Sequence, residues 1–168
     1  MDSSNLPSSR ANDRDRFRLR RFLEALVEAG LCEVREKPID LADLAAEFES
    51  DNAIWFKAAG PEKAELVGNV VGSRARMALA FGVKPTELMA EVVKRLKNKP
   101  ELVEVARADA PVQEVVLTGD QVDLTALPVH LAHGLDGAPY ISASVDYVRD
   151  SKTGMTNVGV RRLMLRGK

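Results

Sequence analysis

From Asn157 to Arg162 the sequence reads NVGVRR. Asparagine offers a hard metal ion an oxygen without adding charge. Arginine presents a planar fork that grips a carboxylate or phosphate through two hydrogen bonds. Gly159 lets another backbone or a ring system approach closely. A strand carrying all three suits a flat anionic cofactor and a carboxylate substrate. The same residues also read as a hairpin with solvent-facing arginines, and composition alone favours that plainer reading. Asn157 and Arg162 are five apart, an odd count that sets them on opposite faces of a regular strand. Serving one site therefore requires a bulge or kink between them, expected at Gly159. Without it, Arg161 shares a face with Asn157 and is the partner.

Other residues offer less. Gly72-Ser73-Arg74-Ala75-Arg76 follows a strand and opens a helix, where free N–H groups and the dipole could seat a phosphate completed by Arg74 or Arg76. An ordinary helix cap explains it as well. His130 and His133 have a spacing that could share a metal on a helix. Gly134 and Gly137 make the stretch a loop, and no third ligand lies close by in sequence. Asp120, Asp123 and Asp136 sit in turn contexts. Cys32 has no neighbouring histidine and reads as a small core hydrophobe.

The elements that must position these residues follow from apolar spacing. Leu19, Phe22, Leu23, Leu26 and Val27 predict a helix from Phe17, ended by Gly30. A short strand is expected over 31–35. After Pro38, Asp40 caps a second helix carrying Leu41, Leu44, Ala45 and Phe48. Ala53–Lys57 and Ala64–Val71 read as strands about a Gly60-Pro61 turn. A third helix opens at Gly72-Ser73 and closes at Gly82. A fourth starts at Pro85-Thr86-Glu87 and runs to about Lys97, with Leu88, Val92, Val93 and Leu96 on one face. A strand is expected over Ala110–Leu117, then an ordered loop with a helical turn at Asp123–Pro128, then an irregular stretch from His130 to Ala138. Two apolar-rich runs flank a turn at Asp150-Ser151-Lys152-Thr153-Gly154, and the second reads as stopping in mid-strand. The order is α+β rather than a repeated βαβ rhythm.

Composition excludes several classes. The 24 basic and 25 acidic residues nearly cancel, which gives no reason to expect nucleic acid. At 5% aromatics, base-stacking platforms are not expected either. One cysteine rules out an internal disulfide framework and points to a cytoplasmic setting. No run approaches the roughly 18 apolar residues of a membrane span, and the start lacks a secretory apolar region. Residues 1–13 read as a disordered tail. Arg10, Arg14, Arg16, Arg18, Arg20 and Arg21 follow, and Asp13 and Asp15 argue against a transit peptide. This is a solvated basic helix start, or a contact with a partner subunit or anionic surface.

Four segments, in order and at suitable spacing, resemble the UbiD-type decarboxylases, which use prenylated FMN. They are GSRARMALAFG at 72–82, Asp123-Leu124 through Leu127-Pro128, DGAPYIS at 136–142 and DSKTGMTNVGVRR at 150–162. The resemblance implies a small N-terminal α/β domain over 14–108. The first strands of a split β-barrel flavin-binding domain, incomplete here, would follow over 109–168. It matches Asn157 to a ligand of the divalent metal that holds the flavin phosphate, Mn²⁺ or Mg²⁺ with K⁺ nearby. It matches Asn157, Val158, Gly159, Val160, Arg161 and Arg162 to the strand lining the prenylated flavin, and Arg162 to the catalytic arginine that orients the substrate carboxylate. Arg161 departs from the family pattern, as do Ser151 and Ala138, more mildly.

The resemblance further implies reversible non-oxidative decarboxylation of an aromatic or α,β-unsaturated acid, with the modified flavin taking up the charge left as carbon dioxide departs. Family members are much longer. Their remaining metal ligands, a His and a Glu, and the proton-delivering Glu lie downstream of this hairpin. The expectation is therefore the N-terminal part of such an enzyme, inactive alone and completed by the remainder or by a partner subunit. A flavin prenyltransferase would supply the cofactor, and a homo-oligomer is expected. The alternatives are a non-catalytic subunit or truncated folding module, and a flavin-binding module without lyase activity.

Overall fold

A computed structural model describes residues 18–98 and 105–168. The tail at 1–13 and the first arginines of the basic run lie outside the described residues. The elements are α1 (Leu19–Glu28), β1 (Cys32–Arg35), α2 (Leu44–Glu47), β2 (Ala53–Ala59), β3 (Ala64–Gly68), α3 (Arg74–Phe81), α4 (Leu88–Leu96), β4 (Tyr140–Arg149) and β5 (Thr156–Met164). β2 is the centre of a three-stranded sheet, parallel to β1 and antiparallel to β3, while β4 and β5 form a separate antiparallel pair. The class is α+β.

β2 explains why the core has two halves. A strand covered on both faces reads as a continuous apolar run, and Ala53, Ile54, Trp55 and Phe56 are all buried. Alternation sends Ala53 and Trp55 toward Leu23 and Leu26 of α1 and Cys32 of β1. Ile54, Phe56 and Ala59 pack with Leu44 of α2 on the other side. Each large apolar side chain so buried contributes about 1.5–3 kcal/mol. Burial also raises the Cys32 thiol above its ordinary value, with the Glu33 carboxylate adding to the effect.

The turn leading into β2 is held from a distance. Asn69, left-handed at φ 56°, donates its amide to the carbonyls of Ser50 at 2.7 Å and Asn52 at 2.9 Å. Arg76 is 2% exposed and donates Nη1 to the Asp51 carbonyl between them. Three successive carbonyls are thus accounted for by two side chains. Gly72 is required here, because a Cβ would stand 1.8 Å from the Asn69 side-chain oxygen. Ser73 caps α3 by accepting from the Arg76 N–H, and Gly82 ends that helix at φ 71°. Arg74 donates Nε to the Pro85 carbonyl at 2.8 Å. Both arginines of the GSRAR segment are therefore occupied by backbone, which favours the helix-cap reading over a phosphate seat.

Several expectations need correction. The second helix is a single turn, because Asp40 caps the turn at Ala42 instead of a helix. β3 ends at Gly68, where the left-handed Asn69 redirects the chain. The fourth helix begins at Leu88, and its apolar face is covered only in part: Leu88 is buried, but Val93 and Leu96 are exposed. No strand forms over Ala110–Leu117. Pro111 has no N–H for a ladder, and Gln113 and Glu114 bond to Ala110 and Pro111 in a tight 3₁₀ turn at Pro111–Gln113. The last strand runs from Thr156 to Met164, and the Leu165 N–H still reaches the Pro139 carbonyl at 2.9 Å. Among the described residues no helix is long and apolar enough to cross a membrane.

Replacing a buried arginine by alanine removes a charge-assisted hydrogen bond and leaves a cavity. Arg76→Ala is expected to cost about 3 kcal/mol, whereas Arg74→Ala, at the surface, costs less than about 1 kcal/mol. Urea unfolding of the two variants checks this. Equal losses would show that the clasp is not what holds the turn.

Candidate functional site

The hairpin β4–β5 carries the NVGVRR segment. Asp150 builds its turn: Oδ1 accepts the N–H groups of Lys152 at 2.7 Å and Thr153 at 3.0 Å. Gly154 takes φ 71°, and its N–H returns to the Asp150 carbonyl at 2.9 Å. The backbone bonds from Thr153 and then Lys152 hold the Asp150 carboxyl below its ordinary value.

From this turn the pairing is regular: Val148 with Asn157, Tyr147 with Val158, Asp146 with Gly159, Val145 with Val160, and Ser144 with Arg161. One face therefore presents Asn157, Gly159 and Arg161 with Val148, Asp146 and Ser144. The other presents Val158 and Val160 with Tyr147 and Val145, all four of them exposed. There is no bulge at Gly159. The register slips instead between Ile141 and Ser144, so that Ser142 and Ala143 stand opposite Arg162. The extra residue is in β4.

The two arginines differ in their surroundings. Arg161 reaches Asp146, with Nε 3.6 Å from Oδ2, and the Ser144 hydroxyl donates to the other Asp146 oxygen at 2.7 Å. Arg162 has no ion pair among the described residues, and its guanidinium lies 6.0 Å from the centre of the Tyr140 ring. Asn157 is exposed and makes no side-chain hydrogen bond among them. The structure thus groups Asn157 with Arg161 and places Arg162 on the far face beside the register slip. Asp146 and Ser144 were not singled out from sequence. Counting back from the turn pairs Asp146 with Gly159 and would have found them.

The approach to the hairpin is also ordered. Asp123 accepts the Thr125 hydroxyl and N–H and lies 3.3 Å from Lys168 Nζ; the Thr125 bonds are the main reason its carboxyl is held low. His133 and Asp136 close a turn on each other. His130 packs edge-on against Phe48, 5.4 Å between ring centres. Neither histidine belongs to a metal cluster: no group of three His, Cys, Asp or Glu that could hold an ion occurs among the described residues.

Comparison with known proteins bears on this hairpin. Residues 23–96 match the family described as 3-octaprenyl-4-hydroxybenzoate carboxy-lyase N-terminal domain, and residues 103–168 match the Rift-related domain of the same carboxy-lyase. A protein of the cooM 5′ region of Rhodospirillum rubrum is 35% identical over 133 residues, which are 77% of this chain and 28% of that protein. Anhydromevalonate phosphate decarboxylase of Methanosarcina mazei is 33% identical over 153 residues, 89% of this chain and 34% of that one. Among solved structures, the UbiD-class enzyme HmfF from Pelotomaculum thermopropionicum, in complex with prFMN, superposes with TM-score 0.80 at 26% identity. The match covers 89% of this chain and 36% of that one. Vanillic acid decarboxylase of Sedimentibacter hydroxybenzoicus gives TM-score 0.77 at 27% identity, covering 89% and 34%. The chain spans roughly a third of the length of these relatives.

The depressed Asp150 carboxyl fixes the sign of a pH effect. A lowered native value stabilises the turn at pH above the unfolded value, about 3.9, and the contribution is lost as pH falls through the native value. The Lys152 and Thr153 amide resonances are expected to hold their shifts from neutrality down to that range and collapse below it. In Asp150→Asn that acid transition disappears. An unchanged transition in the variant would assign it to another group.

Proposed function

This chain belongs to the UbiD family of carboxy-lyases, and from that premise we propose that it forms the N-terminal part of a prenylated-FMN-dependent decarboxylase. The substrate is an aromatic or α,β-unsaturated carboxylic acid, in line with what the named relatives act on. The observation that carries the reading is the family match in order: the N-terminal domain, then the Rift-related domain containing the Asn157–Arg162 strand.

The residues present fit the cofactor in part. Asn157 has a free amide oxygen to lend to Mn²⁺ or Mg²⁺, as one ligand of a set completed outside the described residues. At Gly159 the Arg161 side chain lies 3.6–3.8 Å from where a Cβ would stand, while Val158 and Val160 are exposed on the opposite face; the backbone of Val158, Gly159 and Val160 would line the flat ring system. When bound, prenylated FMN supplies an electron sink for the bond to carbon dioxide. Arg162 holds the substrate carboxylate through its fork and orients it before loss. Asn157 and Arg162 lie on opposite faces of β5, so sharing one site would require a twist of the strand; the register slip in β4 opposite Arg162 favours such a twist, since bulges re-aim neighbouring side chains.

A second reading is a non-catalytic or folding module that needs a separate partner. The exposed face of Val145, Tyr147, Val158 and Val160 favours further protein over the hairpin, in cis or in trans.

The test is reconstitution: the 168-residue chain with prenylated FMN and Mn²⁺, assayed for decarboxylation with and without the remainder of a family member. Activity is expected only with the remainder. Arg162→Ala should then lower it by about 10²-fold or more, while Arg161→Ala leaves it within a few-fold. The reverse ranking would transfer the carboxylate to Arg161, and activity of the chain alone would overturn the idea that the site is shared.

A further inference from the structure

Two adjacent arginines on one strand pose a selection problem. If both were free, each would attract a carboxylate, one on either face of the hairpin. We propose that Asp146 is a positioning residue that sorts them, tying Arg161 down across Gly159 and leaving Arg162 as the single anion-binding guanidinium of the strand. The substrate side of this inference rests on the function proposed above; the sorting does not.

Three features build the device. Asp146 pairs with Gly159 in the register, so it is the diagonal neighbour of Arg161 across the ladder. The Ser144 hydroxyl occupies Asp146 Oδ1 at 2.7 Å and turns Oδ2 toward Arg161 Nε at 3.6 Å. The Arg161 side chain lies over the Gly159 Cα, with Nε, Cζ and Nη2 between 3.6 and 3.8 Å from where a Cβ would stand. Gly159 thereby leaves the corridor through which Arg161 reaches its acid. Arg162 meets the opposite conditions. No carboxylate pairs with it among the described residues, and its neighbour is the Tyr140 ring, which tolerates a cation without quenching its charge. One guanidinium is compensated and the other is not, although they are adjacent in sequence.

Free guanidinium reacts with phenylglyoxal faster than ion-paired guanidinium, so the full chain is treated with that reagent and the modified arginines are mapped by mass spectrometry. For an exposed pair of this kind Arg162 is expected to be consumed about threefold faster than Arg161. In Asp146→Asn, Arg161 should rise to the Arg162 rate while Arg162 is unchanged. Ser144→Ala, which frees the carboxylate to turn away, should raise Arg161 part of the way and decides the matter if the Asp146 variant does not fold. Arg161 reacting as fast as Arg162 in the unmodified sequence, or failing to respond in Ser144→Ala, would overturn the sorting. Benzoate is then added as a carboxylate probe. Protection of Arg162 with none of Arg161 supports both readings. A rate contrast without protection leaves the sorting standing and removes the carboxylate-anchor role.

Discussion

The structure depends on how the turn at residues 50–52 is tied. Its three carbonyls are part-buried and take side-chain donors, and an acceptor left unpaired in a buried setting costs about 1–3 kcal/mol. Asn69 and Arg76 accept that task from a segment well separated in sequence. The arrangement fixes where β2 begins, and β2 in turn sets which side chains enter each half of the core. It also gives an arginine buried without a carboxylate a main-chain carbonyl to hold, and the Asn69 side chain beside it makes Gly72 obligatory.

From β2 the constraint passes outward through one aromatic ring. Phe48 packs edge-on against Phe56 of the core, 5.8 Å between centres, and against His130 on its other side. Gly68 makes room for it, since a Cβ there would fall 2.0 Å from the ring. The segment leading to the hairpin thus rests on the core through a short series of ring contacts. The hairpin itself has a polar face bearing Asn157, Asp146 and Arg161 and an apolar face bearing Val145, Tyr147, Val158 and Val160. Apart from Val148 on the first face and Arg162 on the second, this is the alternation of a sheet that normally has one side covered.

Much of this was legible in the sequence. Helix α1, the buried run of β2, the Ser73 and Gly82 caps and the Asp150–Gly154 turn each follow from local chemistry: apolar period, a hydroxyl cap, a left-handed glycine, an aspartate that accepts two turn amides. The family was legible because four motifs fell in order. What failed depended on partners distant in sequence. Ala110–Leu117 has the residues of a strand but no strand beside it, so Pro111 decides in favour of a turn. The bulge expected at Gly159 if Asn157 and Arg162 share a site is absent: β5 is regular from Asn157 to Arg161, and the register slip lies in β4 between Ile141 and Ser144, a position set by the pairing and not displayed by either strand alone. The pairing of Asp146 with Arg161 required the register, which the turn contains but the motif does not display.

The hairpin's contacts are close in sequence, closing through a five-residue turn from Asp150 to Gly154, whereas β1 and β2 must be joined in parallel through an intervening crossover. Local closure is fast, on the order of 1–10 μs for a hairpin, and parallel pairing is slower because its loop entropy must be met first. A lone two-stranded pair is nonetheless marginal in water. The strand bearing Asn157 and Arg162 therefore forms early and often but persists only once its apolar face is covered. Whatever covers that face thus sets how long the two residues stay in register.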